Sequence, residues 1–80
     1  MSSSDVMARV ELVLQRVFDD SNLKVERRTT AQDVEGWDSV AHIEVIMAVE
    51  KEFKVRFKAS EAMAFKNIGD LVDRIGQKMS

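Results

Sequence analysis

Hydrophobic residues recur every three or four positions in three segments of the chain, which is the spacing of one buried face on an α-helix. The first segment covers about 4–18, the second 39–53, and the third begins at Asn67. Gly76 is expected to end the third helix, because glycine often follows the last helical residue. The apolar positions of the first and third segments are Val6, Met7, Val10, Val13, Leu14, Val17, Phe18, Ile68, Leu71, Val72 and Ile75.

The segments between these helices have different patterns. Residues 19–38 show no sustained period, which predicts a long connection held to the helices by Leu23, Val25 and Val34, with a short turn near 30–34. Residues 54–58 alternate charged and apolar side chains. This stretch is too short for a stable hairpin, so it predicts an extended connector that inserts Val55 and Phe57. Ser60 is then expected to cap a short helix reaching Phe65.

The predicted fold is therefore all-α, a small four-helix bundle of three main helices and one short helix. With 80 residues, 45% hydrophobic and 32% charged, the chain has a globular composition, and we expect one free-standing domain over 1–80 that is monomeric. No apolar run approaches the roughly 20 residues of a membrane span, and the N-terminus lacks the pattern of a secretory signal. We therefore expect a cytoplasmic location.

Composition also excludes several kinds of site. The chain has no cysteine and a single histidine, so a disulfide, a thiolate zinc site, a cysteine nucleophile and any site with two histidines are excluded, and we expect no metal site. The net charge of -2 disfavours a nucleic-acid partner. A small helical interaction or DNA-binding module remains a distant alternative, because no predicted helix has the basic and polar face of a recognition helix.

The second predicted helix has two apolar faces where a small bundle needs one. At 100° per residue, one face holds Val45, Ile46, Val49 and Phe53, and the other is a stripe of Val40, Ile43 and Met47. In one interpretation the helix is central and both faces belong to the core. In the other, the stripe is partly exposed and docks on partners or cargo.

Ser39 stands at the first position of that helix, directly after the long connection, and Asp38 precedes it as a predicted N-cap. A serine here is common for structural reasons alone. Its hydroxyl is also open to a modifying enzyme, and a phosphate ester formed on it lies beside the unpaired amides and the positive dipole end of the helix. Ser39 is a poor catalytic nucleophile, because His42 on the same helix is the only candidate base and no oxyanion hole is evident.

The residues from Gly36-Trp37-Asp38-Ser39-Val40 through the second helix to Phe53 resemble the acyl carrier protein family, whose attachment motif is commonly Asp-Ser-Leu at the start of the second helix. The resemblance covers nearly the whole chain, including the helix lengths and the long first connection. Val40 replaces the usual leucine, which is a conservative change.

This resemblance implies that Ser39 is esterified by 4′-phosphopantetheine, which a phosphopantetheinyl transferase transfers from coenzyme A. Cargo then rides as a thioester on the thiol of this arm between acyl-loading and acyl-transferring enzymes, and the protein itself is no enzyme. Asp38 matches the motif acid that the transferase recognises through a basic group. Val40, Glu44 and Met47 match positions that face partner enzymes in the family.

Departures from the family pattern favour a specialised carrier. Trp37 is more typical of specialised and peptidyl carriers, although it also suits a simple apolar anchor for the connection. The second helix of the housekeeping fatty-acid carrier is strongly acidic and docks onto basic patches of its enzymes. Here residues 41–80 hold seven basic and six acidic side chains, so we expect weak attraction to such enzymes and a dedicated fatty-acid, polyketide or lipid pathway. A peptidyl or aminoacyl carrier remains the alternative.

Overall fold

A computed structural model of the chain describes residues 3–79, which form an all-helical bundle. Within these residues there is no β-strand, and no helix is long and apolar enough to cross a membrane. The predicted fold class, three main helices and one short helix, is confirmed. The elements are α1 (Ser3–Val17), a 3₁₀ turn (Ala31–Asp33), α2 (Ser39–Phe53), α3 (Ala59–Ala62) and α4 (Ile68–Met79).

The core forms where α1 packs against both α2 and α4. Each of these helices contributes the apolar face that its periodicity predicts, and no polar side chain is buried among the described residues. At the outer edge of the packed faces, the Arg9 guanidinium of α1 bonds the Glu52 carboxylate of α2 at 2.8 Å and lies 4.6 Å from the Phe53 ring centre. These contacts hold the C-terminal end of α2 against α1.

The long connection between α1 and α2 is held down by the apolar residues that the sequence singles out. Val25 and Val34 are buried and Leu23 is half-buried. The 3₁₀ turn at Ala31–Asp33 confirms the predicted short turn. Close to α2, Gly36 takes a φ of 87°, a left-handed conformation that glycine adopts without strain and that turns the chain into the helix start.

The third helix differs from its prediction. It begins at Ala59 and ends at Ala62, so the expectations that Ser60 caps it and that it reaches Phe65 are both wrong. The cap comes instead from Glu61, whose carboxylate accepts a hydrogen bond from the Lys58 amide at 2.9 Å. The Glu61 carboxylate, two residues after the first residue of α3, thus accepts the capping hydrogen bond that was expected to go to the Ser60 hydroxyl.

Glu61 also joins α3 to α4. Its carboxylate lies 3.1 Å from the Lys78 ammonium and 3.5 Å from the Arg74 guanidinium. The hydrogen bond from the Lys58 amide, and after it the one from Lys78, lowers the pKa of Glu61 below its ordinary value. One carboxylate thus serves as cap and as interhelical contact.

The last helix starts as predicted and ends later than predicted. The Asn67 side chain caps it by accepting a hydrogen bond from the Asp70 amide at 2.8 Å. The expectation that Gly76 ends the helix is wrong, because α4 continues to Met79. Glycine weakens a helix interior by only about 1 kcal/mol, which the burial of neighbouring Ile75 offsets.

Candidate functional site

The start of α2 is held in place by its capping residue. Asp38 has extended backbone angles, and its carboxylate accepts a hydrogen bond from the Ala41 amide at 2.8 Å. The Asp38 carbonyl then accepts the His42 amide at 2.9 Å as the first helical hydrogen bond. The predicted N-cap is confirmed, and it makes Ser39 the first residue of the helix.

Ser39 is exposed. Among residues 3–79 nothing hydrogen-bonds its hydroxyl, and the amides of Ser39 and Val40 also lack a partner there. An alcohol is thus open to an approaching enzyme beside two free N–H donors and the positive end of the helix dipole. An anionic ester on this oxygen is stabilised by both, while the Asp38 carboxylate opposes it at closer range than any basic side chain of the helix.

Trp37 and His42 form a network that joins the connection, α2 and α3. The Trp37 indole N–H donates to His42 Nδ1 at 3.2 Å, so the ring proton is on Nε2, which donates to the Ala62 carbonyl at 2.7 Å. Both ring nitrogens are hydrogen-bonded, so His42 is available neither as a base for Ser39 nor as a contact for an anion. The indole also packs 5.5 Å from the Phe18 ring, which confirms Trp37 as the anchor of the connection.

Sequence reasoning missed this network and considered His42 as a candidate base for Ser39. The Trp37–His42 spacing of five residues carries no helical signal, because Trp37 lies outside the helix. The acceptor at Ala62 is twenty residues away and is a backbone carbonyl, so no residue type marks it.

A small cavity of about 60 Å³ lies next to the network. A space of this size admits only a few water-sized molecules. A long hydrocarbon chain therefore enters only if side chains in the wall move. The wall includes Trp37, His42, Ile46, Phe65, Ile68 and Leu71.

The stripe of Val40, Ile43 and Met47 is exposed, with 66%, 61% and 62% of the full residue surface accessible to solvent. The interpretation that puts it in the core is therefore wrong, because α1 and the neighbouring segments cover only the other face of α2. Glu44 is exposed beside the stripe. Ser39 stands at one end of this surface, so one helix brings together the hydroxyl, Asp38 and every side chain predicted to contact partners.

The described residues hold no group of three or more histidine, aspartate or glutamate side chains that is placed to bind a metal ion. The site consists of an alcohol, a carboxylate, free amides and an apolar surface. Such a set suits attachment and recognition.

Comparison with known proteins agrees with this arrangement. Residues 8–75 match the family model described as phosphopantetheine attachment site. The acyl carrier protein of Thermosynechococcus vestitus is 31% identical over 100% of this chain and 99% of its own, and that of Caulobacter vibrioides is 31% identical over 94% and 96%. The solution structure of a holo acyl carrier protein from Geobacter metallireducens superposes with a TM-score of 0.86 at 32% identity, covering 92% of this chain and 85% of that one. The chain therefore belongs to the acyl carrier protein family, whose members carry acyl groups on covalently attached 4′-phosphopantetheine.

Proposed function

We propose that Ser39 is the residue to which 4′-phosphopantetheine is attached. The observation that carries this proposal is the exposed, unbonded hydroxyl at the first position of α2, within the family-matched segment. The start of α2 suits 4′-phosphopantetheine, because the free amides of Ser39 and Val40 and the helix dipole favour a phosphodiester there. When bound, the arm supplies a thiol that holds cargo as a thioester, and the chain has no cysteine to compete with it.

The chain's own residues hold and present this group. The α2 cap fixes the Ser39 backbone, so an arm attached there leaves the bundle at a defined point. Asp38 is exposed and offers a carboxylate to a basic group of the transferase. The exposed stripe of Val40, Ile43 and Met47, with Glu44 beside it, is the surface on which acyl-loading and acyl-transferring enzymes dock.

The protein has no catalytic role of its own in this proposal, and it works in the cytoplasm. Its physical contribution is to keep a reactive intermediate tethered, which raises the local concentration of that intermediate at each partner's active site. The nearly balanced charge of residues 41–80 supports a dedicated fatty-acid, polyketide or lipid pathway, because steering toward basic enzymes is weak.

Intact mass spectrometry tests the attachment site. The apo-protein is incubated with coenzyme A, magnesium and a broad-specificity phosphopantetheinyl transferase, and we expect one prosthetic-group increment. Ser39→Ala should show none, because no other hydroxyl combines this position with the family motif. Ser60→Ala is the matched control, since Ser60 is also exposed in the first turn of a helix, and it should load like the native chain.

Circular dichroism shows whether the Ser39→Ala variant keeps its helices. A folded Ser39→Ala variant that still gains mass, or a native chain that gains none from an active transferase, contradicts the proposal. Loading with a panel of acyl and aminoacyl groups then separates an acyl carrier from an aminoacyl carrier.

A further inference from the structure

The exposed stripe on α2 does not end at Met47. Lys51 follows Met47 by four residues, so it continues the same line along the helix surface, and it is exposed. Lys54 ends the helix with a φ of 57° and is also exposed. The exposed surface of α2 therefore has the Ser39 hydroxyl at its first end, apolar side chains in the middle, and the cations of Lys51 and Lys54 at its other end.

The connector after α2 adds to this end of the surface. In residues 54–58 the apolar side chains of Val55 and Phe57 pack against the core, and the charged ones point outward. Arg56 lies with Lys51 and Lys54 around a shallow hollow that is also lined by Met47, Glu50 and Val55. We call Lys51, Lys54 and Arg56 the basic end of α2.

The acidic side chains near the basic end are engaged within the protein. The Glu50 carboxylate accepts the Phe57 amide at 2.8 Å, and the Glu52 carboxylate is bonded to Arg9. By contrast, no ion pair within residues 3–79 involves Lys51, Lys54 or Arg56. Within the described residues, the three cations of the basic end are therefore exposed and have no ion-pair partner.

We infer that the enzymes that dock on α2 present an acidic patch to the basic end, next to the apolar surface that covers Ile43 and Met47. The inference rests on the proposed function, and it adds the sign of the partner's charge. Family membership implies that enzymes dock along α2. In the housekeeping carrier that helix is acidic, so the enzymes that bind it present basic patches. A basic partner surface would be repelled here, and like charges facing each other reduce both association rate and affinity.

One interface is wide enough to reach from Ser39 to the basic end. The 15 residues of α2 span about 22 Å at 1.5 Å per residue. A protein interface of standard size covers about 800 Å² on each partner, a patch about 30 Å across. A membrane is a poorer occupant than an enzyme, because the chain carries a net charge of -2 and the basic end holds only three cations, on α2 and the connector after it.

The test compares one enzyme in two charge forms. The probe is a purified ketosynthase from a housekeeping fatty-acid synthase, used with its basic docking patch and with those lysines and arginines changed to glutamate. Dissociation constants are measured by calorimetry with the native chain and with Lys51→Glu/Arg56→Glu. We expect the native chain to prefer the acidic form by about tenfold and the variant to prefer the basic form.

The matched control is Lys24→Glu/Lys66→Glu, which changes the net charge equally at two exposed lysines outside α2. It should keep the native preference. Equal shifts in both variants, or no preference in the native chain, overturn the inference. Binding to phosphatidylglycerol vesicles that Lys51→Glu/Arg56→Glu abolishes overturns it in favour of a membrane. Binding is measured on the unmodified chain, so a failure to load Ser39 contradicts the proposed function separately.

Discussion

At the scale of single residues, Asp38 serves two purposes that the structure allows to be separated. Its carboxylate caps α2 through the Ala41 amide, and its exposed charge is the group proposed to meet the transferase. Asparagine caps helices about as well as aspartate, but it carries no charge. Asp38→Asn therefore removes the charge offered to the transferase and keeps the cap of α2.

We expect Asp38→Ala to lower the free energy of unfolding by about 1 kcal/mol, because it removes the cap, and Asp38→Asn to lower it by only a few tenths. Both variants should be loaded more slowly than the native chain, since both lack the carboxylate. Urea denaturation measures the first effect and the initial rate of mass gain the second. Native loading of Asp38→Asn would show that the transferase does not read the charge.

The two aromatic rings beside Ser39 show what residue types alone do not reveal. Trp37 was predictable as an anchor from its size and its place next to Val34 and Gly36 in the connection. The bond from its indole to His42 was not, because it depends on the course of the chain from Gly36 into α2. The sequence shows that a histidine follows Ser39 by three positions, and the structure shows that its ring is fully engaged elsewhere.

At the scale of elements, periodicity predicts the long helices well because each buries one continuous face. The limits of α3 and α4 were less predictable. The cap of α3 depends on Glu61, whose position is set by Lys78 and Arg74 on another helix. Gly76 has no neighbour within 4 Å of an added Cβ and lies in ordinary helix, so its presence carries no information on where α4 ends.

The two glycines of α4 allow a matched pair of substitutions. The Gly69 amide donates to the Arg27 carbonyl at 2.7 Å, and a Cβ on Gly69 would lie 3.0 Å from that oxygen. We expect Gly69→Ala to cost about 1–3 kcal/mol, because the connection must shift. Gly76→Ala should instead stabilise the protein by about 0.5–1 kcal/mol, since alanine favours the helix.

Urea denaturation of both variants measures these changes, with an unchanged slope showing that the unfolded surface is the same. A Gly69→Ala variant as stable as the native chain would mean that the connection does not pack closely on α4. A destabilised Gly76→Ala variant would mean that α4 ends before that residue.

At the scale of the whole molecule, the question is whether the exposed stripe is covered by a second copy. The Cα radius of gyration is 11.3 Å, close to the roughly 12 Å expected for a single domain of this length. Each main helix buries its own face within the chain, so no subunit contact is needed to complete the core.

We expect small-angle scattering to give a radius of gyration near 12 Å, and light scattering a monomer mass, as the protein concentration rises. A self-associated pair would approach about 15 Å by the same scaling. Should the larger value appear, Met47→Glu, which charges the centre of the stripe, tells whether that surface forms the contact.

The division of α2 into two faces has a consequence for how such proteins diverge. One face holds Val45 and Val49 against α1, and the other holds Ile43, Met47 and Lys51 in solvent. No side chain belongs to both sets, so substitutions on the outer face should change the free energy of unfolding little. A gene duplicate can thus acquire a new set of client enzymes by changing a few outward positions, while its ancestral scaffold is inherited intact.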